Sequence, residues 1–416
     1  MEKKARKNIN LYTIYELFGY NLHFYYIIQI FFLTEIKRLS ITEFLLLNTV
    51  ISLSMSIFLI PAGIITDKIG RKRCIVLGNL LLMAFGITLI LSSNFFEFIV
   101  ATVFLGAGYA LKSTSESSIL IDSLTFLKRE EEFGKIEGRA FAIFSYVSCI
   151  LALITGYIYT LNNYLPIILM IAFSFIAFIL SIFFTDVELK ESPKKEVSSE
   201  LGFLKECVKH IFLSKRLRAL LLFAFVFVGV IVIGQDFSQI ALKETDISVT
   251  VFGVIQACFC LFTGLGAGMQ FRIEQRKKNK TLKTLSIIYI ISFIIISIVG
   301  MLKLDSNVGL IVLMMFIQSI IEGAYGISSE RYITNFTSQE VRGKMLSILY
   351  LLQEIGTTIF LAIATLVLDK TASIYMSYMI LGIAFLIIFI VILNYMKNRF
   401  GLDPNQYTEE DIKYDD

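Results

Sequence analysis

Gly63-Ile64-Ile65-Thr66-Asp67-Lys68-Ile69-Gly70-Arg71-Lys72-Arg73 is a short polar break between two long apolar runs, about residues 44–65 and 74–92. One carboxylate, Asp67, stands among the cations Lys68, Arg71, Lys72 and Arg73. Gly70 tolerates the positive φ that a tight reversal needs. Gly63 has no side chain to hold helices apart. Each flanking run is close to 20 residues, the length that crosses roughly 30 Å of hydrocarbon as a helix. The stretch therefore reads as a turn at a membrane surface.

The same pattern recurs along the chain. Of 416 residues, 56% are apolar and 17% charged, and mean hydropathy is +0.74. Ordinary globular domains are nearer half apolar and a quarter charged, so a single soluble core and a disordered chain are both excluded. The apolar excess falls into twelve runs, near 9–33, 44–65, 74–92, 95–118, 140–160, 164–185, 219–242, 250–271, 284–302, 307–328, 345–368 and 373–396. This predicts an all-α membrane protein of twelve transmembrane helices. The first run is too long for a cleavable signal and lacks a small-residue cleavage site, so it is expected to stay. The five cysteines show no pairing or metal spacing and read as small apolar packing residues, and no metal or cofactor is expected.

Lysine and arginine fix the orientation. The N-terminal tail, the loops after spans 2, 4, 6, 8 and 10, and the C-terminal tail hold 32 of the 38. Cytoplasmic loops collect positive charge, so both termini are expected inside. The clusters Arg71-Lys72-Arg73 and Arg276-Lys277-Lys278 then face anionic lipid; no stacking aromatics interleave them, which argues against nucleic acid. A polar, basic insert at 186–218 separates a six-span bundle at 1–185 from a second at 219–396, with a cytoplasmic tail at 397–416. Gly134-Lys135 before span 5 echoes Gly343-Lys344 before span 11, 209 residues later, which suggests a duplicated unit.

The Gly63–Arg73 stretch resembles the G-x-x-x-D-[RK]-x-G-R-[RK]-x signature of the major facilitator superfamily, at the position after span 2 where that family carries it. The second-half equivalent, Gly264-Leu265-Gly266-Ala267-Gly268 followed by Arg272 to Lys280, lacks the aspartate. The resemblance implies two six-helix pseudo-repeats and transport by alternating access. It also implies a conformational latch of Gly63, Asp67, Gly70, Arg71 and Lys72, with Asp67 near the N-terminus of span 11. An anion is favoured there by about 0.3–1 kcal/mol. Leu105-Gly106-Ala107-Gly108-Tyr109-Ala110 and Ile121-Asp122-Ser123-Leu124 look like segments of drug and tetracycline-type exporters. The exporters' span 4 arginine is Thr102 here, span 5 has only Gly156 and no proline, and the acid of E-I-P-x-G is replaced in Leu59-Ile60-Pro61-Ala62-Gly63.

A charge at a helix centre costs about 2.5–3.5 kcal/mol, so each should face a cavity or a partner. Glu16 and His23 lie seven apart in span 1, with Gln29 near its outer end. Lys112 and Glu116 in span 4 have the i,i+4 spacing of an ion pair. Asp236 follows Gln235 in span 7, Glu322 follows Gln318 in span 10, and Glu354 lies near the middle of span 11. Glu322, Glu354, Asp236 and Glu16 are the candidate proton carriers. His23, Gln29, Tyr109, Lys112, Glu116, Gln235 and Gln318 are the candidate substrate contacts. In the family fold spans 1, 4, 7 and 10 line the cavity, which is where most of these charges fall.

The expected function is proton-coupled efflux of an amphipathic small molecule such as an antibiotic, by antiport across the plasma membrane, from a monomer. Aromatic residues on the cavity spans (Phe18, Tyr20, Phe24, Tyr109, Phe225, Phe227, Tyr325) suit such a ligand. Import of a sugar, peptide or other small nutrient is the alternative. An enzyme is not expected, because no nucleotide loop, HExxH or GxSxG motif is present.

Overall fold

A computed structural model describes residues 1–19, 23–187, 215–277, 280–302, 308–335 and 342–400. The central insert and the C-terminal tail lie almost wholly outside these residues. Among the described residues, eleven helices are long and apolar enough to cross a membrane. The chain divides into two compact units, Met1–Val197 with Ser248–Ala257, and Ser198–Ile247 with Cys258–Asp416.

The first unit starts earlier than the hydropathy predicts. α1 (Glu2–Gly19) begins in the charged tail. Ala5, Asn8, Tyr12, Tyr15, Glu16 and Gly19 form its buried stripe, the three-and-four spacing of a helix face. Asn8 explains the extension. Its amide donates to Ser123 Oγ (2.9 Å) and the Thr185 carbonyl (2.8 Å), and its oxygen accepts from the Thr185 N–H (3.1 Å). The span expected at 9–33 is covered by α1, α2 (His23–Phe31) and a π-helical turn, Phe32–Ile36, with residues 20–22 outside the described ones.

α3 (Ile41–Ile69) opens on a capping box, in which Ser40 and Glu43 exchange side chain-to-backbone hydrogen bonds. It ends at Gly70, whose φ of 93° reverses the chain directly into α4 (Arg71–Leu91). The first turn of α4 is capped from a distance: the Lys72 N–H donates to Asp186 Oδ1 at 2.9 Å. A Cβ on Gly70 would stand 2.6 Å from the other oxygen of that carboxylate. At the far end, Lys37 donates to the carbonyls of Ile90 (2.5 Å) and Ser92 (2.9 Å), answering the unpaired acceptors of a helix terminus. Burial holds the Lys37 ammonium below the ordinary lysine value, with Glu97 acting against it.

α5 (Phe95–Phe126), α6 (Phe133–Leu161) and α7 (Leu165–Ile182) complete the described helices of this bundle. Glycines set the crossings. A Cβ on Gly106 would lie 2.5 Å from Ser54 Cβ and 2.9 Å from the Ile51 carbonyl, so α3 and α5 touch through backbone. Gly78 of α4 meets the Gly108 carbonyl of α5 in the same way, at 3.0 Å. Gly63 departs from the expected close approach: no described atom lies within 4 Å of where its Cβ would stand.

The second unit is built from α8 (Lys215–Lys243), most of α9 (Val249–Lys277), α10 (Thr281–Met301), α11 (Val308–Asn335), α12 (Arg342–Thr371) and α13 (Ile374–Phe400). Gly266 of α9 and Gly323 of α11 bring two backbones together; a Cβ on either would fall 1.9 Å from a carbonyl oxygen opposite. One helix start repeats across the halves: Leu165 begins α7 and Ile374 begins α13. The two are 209 residues apart, the interval between Gly134 and Gly343.

Candidate functional site

Ionisable side chains converge inside the first unit. Lys112 and Glu116 lie one turn apart on α5 and pair at 3.3 Å, with side chains 2% and 4% exposed. Burial that complete leaves no water to satisfy them, so other helices must. α4 supplies Asn79, which is fully buried. Its oxygen accepts from Lys112 Nζ (3.1 Å), and its amide donates to the Tyr15 hydroxyl (3.0 Å). Tyr15, from α1, donates to Glu116 Oε1. Lys112 also donates to the Gly19 carbonyl at 2.5 Å, and its ammonium lies 5.6 Å from the centre of the Tyr15 ring. Tyr15, Glu116, Lys112 and Asn79 thus close a ring of polar contacts across three helices. Gly78 makes room for the lysine stem: a Cβ there would be 2.5 Å from Lys112 Cγ.

Glu16 stands beside this ring, buried, and within electrostatic reach of both Glu116 and Lys112. The Tyr12 hydroxyl bonds its carboxylate, and its Oε1 has no hydrogen-bond partner. Two carboxylates therefore share one ammonium. An isolated buried carboxylate is very costly as an anion and far less so when neutral, so this arrangement can hold one proton in addition to the ion pair.

The second unit carries a different polar group. Gln235 of α8 is exposed, and its amide donates to Glu322 Oε1 of α11. Gln318, one turn earlier, is buried and donates to Ser292 Oγ of α10 at 2.7 Å. Asp236 is buried on α8, and Glu354 is half-buried in the middle of α12. Gln29 is buried in α2, and Tyr109 is half-buried in α5. The side chains of His23 and Asp67 lie outside the described residues. Around Asp67 the signature is anchored within its own bundle: Arg71 is paired with Asp122 near the C-terminal end of α5.

The aromatic lining expected from the sequence is largely core. Phe227 is fully buried, with the rings of Tyr325 and Tyr289 edge-on at 4.6 and 5.7 Å and Phe223 tilted at 5.5 Å. Phe225 packs on Phe360 at 5.8 Å, and Phe18 and Phe24 both pack on Phe173. Edge-to-face packing of this kind satisfies aromatic rings against one another, which leaves them little surface for a ligand. Tyr20 lies outside the described residues. Asn79 and Tyr15 are functional candidates that sequence reasoning missed. An amide in an otherwise apolar run was the available signal, since it requires partners once buried.

Two helical bundles of membrane-crossing length, each with a few buried ionisable groups, define a polytopic membrane protein of the transporter class. The sequence matches the model of the Major Facilitator Superfamily over residues 11–273 and again over 237–413. The chain belongs to that superfamily. Its fold is similar to that of the nucleoside transporter NupG (TM-score 0.75, 11% identity, 94% of this chain and 99% of that one). It is also similar to a bacterial homologue of the human lysosomal transporter Spinster (TM-score 0.72, 14% identity, 98% and 99%). A D-xylose–proton symporter shares the fold as well (TM-score 0.68, 12% identity, 91% and 95%). No curated protein matches the sequence.

Proposed function

We propose that this chain is a proton-coupled carrier that imports a small polar organic solute by alternating access, as a monomer in the plasma membrane with both termini cytoplasmic. The observation that carries this reading is the buried group of Tyr15, Glu16, Asn79, Lys112 and Glu116, with one carboxylate more than its cation can neutralise. Lys112 and Glu116 form the fixed pair. Glu16 is the carboxylate that binds a proton while buried and releases it when a conformational change hydrates it. Moving one charge through 100 mV supplies about 2.3 kcal/mol, enough to drive accumulation.

Import is preferred over the export expected from the sequence for two reasons. Export rested on aromatic residues that pack against one another in the bundles, whereas the polar pair of the second unit, an exposed amide and a half-buried carboxylate, suits a polar solute. Structures of similar fold include a nucleoside transporter and a proton-coupled xylose symporter. Export of an amphipathic compound is the second reading, favoured by the Leu105–Ala110 segment with its half-buried Tyr109.

The test uses purified protein in liposomes, an inward proton gradient and a panel of labelled nucleosides, sugars and short peptides. At least one solute is expected to accumulate, and Glu16→Gln is expected to abolish accumulation while leaving solute exchange without a gradient. Accumulation that survives Glu16→Gln or a collapsed gradient would refute the assignment.

A further inference from the structure

The polar pair of the second unit, an exposed Gln235 and a half-buried Glu322, has unused bonding capacity of one kind. Gln235 spends an N–H on Glu322 Oε1. What remains is the Gln235 carbonyl oxygen and Glu322 Oε2, two acceptors on one hydrogen-bonded pair, one of them on a carboxylate. Among the described residues no lysine, arginine or histidine pairs with Glu322. A half-buried carboxylate on a membrane span is disfavoured against hydrocarbon, where it would cost about 2.5–3.5 kcal/mol. This face of α8 and α11 therefore opens to water.

The pair is also held in place from behind. Tyr289 of α10 donates to the Ile231 carbonyl at 3.2 Å and fills the space beside Gly234, where a Cβ would sit 2.3 Å from its hydroxyl. That contact fixes α8 just before Gln235. Gln318, one turn before Glu322, is tied to Ser292 of the same α10 at 2.7 Å. Both bearers of the pair are thus anchored to one helix, so little ordering is left to be done when a ligand arrives.

We infer that Gln235 and Glu322 form the site for an organic cation that carries N–H donors, a protonated amine or guanidine, and that the transported solute bears such a group. The ammonium donates one charge-assisted bond to Glu322 Oε2 and a second bond to the Gln235 carbonyl; such charge-assisted bonds are roughly twice as strong as neutral ones. A quaternary ammonium has the charge without the donors, and an alcohol has one donor without the charge. Neither meets both acceptors. This inference rests on the transporter reading but not on Glu16.

The test is direct binding to the full-length purified protein, read as a shift in unfolding temperature. The probes are 2-phenylethylammonium, its trimethylammonium analogue and 2-phenylethanol. The primary ammonium is expected to give a saturable rise, with at least tenfold weaker apparent affinity for the other two, and Glu322→Gln is expected to remove it. Gln235→Leu, which keeps the carboxylate, should weaken the primary ammonium at least threefold, so the inference stays testable if Glu322→Gln does not fold. Equal shifts from all three probes, no saturable shift from the ammonium, or an undiminished shift in either variant would overturn it. Binding is read in detergent without a proton gradient, so loss of the ammonium shift and loss of gradient-driven accumulation are separate outcomes, and the two readings can fail independently.

Discussion

Lys112 is the residue on which the polar interior of the first unit turns. Its ammonium meets Glu116, the Asn79 oxygen and the Gly19 carbonyl, each from a different direction. Replacing it with methionine keeps much of the volume and removes the charge. Glu116 would then be a buried anion supported only by the Tyr15 hydroxyl, and breaking a buried pair from one side costs about 3–5 kcal/mol. Lys112→Met is therefore expected to lower the unfolding temperature sharply. Adding Glu116→Gln should recover most of the loss, because a buried amide is far cheaper than a buried anion. Thermal unfolding of the wild type, the single variant and the pair in one detergent checks this, and a single variant as stable as the wild type would contradict it. The i,i+4 spacing made the pair itself legible in the sequence. The third and fourth members of the ring were not legible, because spacing along one helix says nothing about which neighbouring helix presents Asn79 or Tyr15.

Helix crossings depend on where glycine is needed and where it is not. Gly106 sits where α3 and α5 meet through backbone, with Ser54 Cβ and the Ile51 carbonyl inside the space a side chain would take. Gly106→Val must push the helices apart, and overpacking of this sort costs about 1–3 kcal/mol or more. Gly63, in the signature, has open space around it. Gly63→Ala is accordingly expected to leave the unfolding temperature within about 2 °C of the wild type, since surface changes usually stay within ±0.5 kcal/mol. Measuring both variants side by side separates packing from signature membership, and a Gly63→Ala protein as unstable as Gly106→Val would refute the distinction. Read from the sequence alone, Gly63 and Gly106 look equally like packing glycines. Only the opposing helix distinguishes them, and that is tertiary information.

The duplication joins both bundles into one description. Twelve apolar runs, the position of the central insert and the 209-residue echo made the two-bundle architecture legible, because lipid forces length and hydropathy on every crossing helix. Paired charges at the helix ends were not legible, because their partners are far apart in sequence. In the first unit Arg71, after α3, pairs with Asp122 near the end of α5. In the second, Glu274 near the end of α9 pairs with Arg331 near the end of α11 at 2.6 Å, and Arg331 lies over the Phe271 ring. Asp122 and Arg331 are again 209 residues apart. The charge at that position is reversed and its partner lies on a different helix, α4 in the first unit and α9, the counterpart of α3, in the second, so what recurs is a brace at the ends of α5 and α11 and not a particular pair. Alternating access, as proposed above, needs each bundle to move as a stiff body, and a brace at these helix ends serves that need. Arg331 is 43% exposed, so the pair itself contributes under about 1 kcal/mol. Arg331→Glu does more than remove it, because it sets two carboxylates together where Glu274 Oε1 is already buried without a partner. The single reversal is expected to lower both the unfolding temperature and gradient-driven uptake in liposomes. The exchanged pair, Glu274→Arg with Arg331→Glu, should restore both to near wild-type values if the brace acts only within its own bundle. An exchanged protein no better than the single variant would show that the identity of each charge matters, and would end the account of the brace as a simple duplicated attraction.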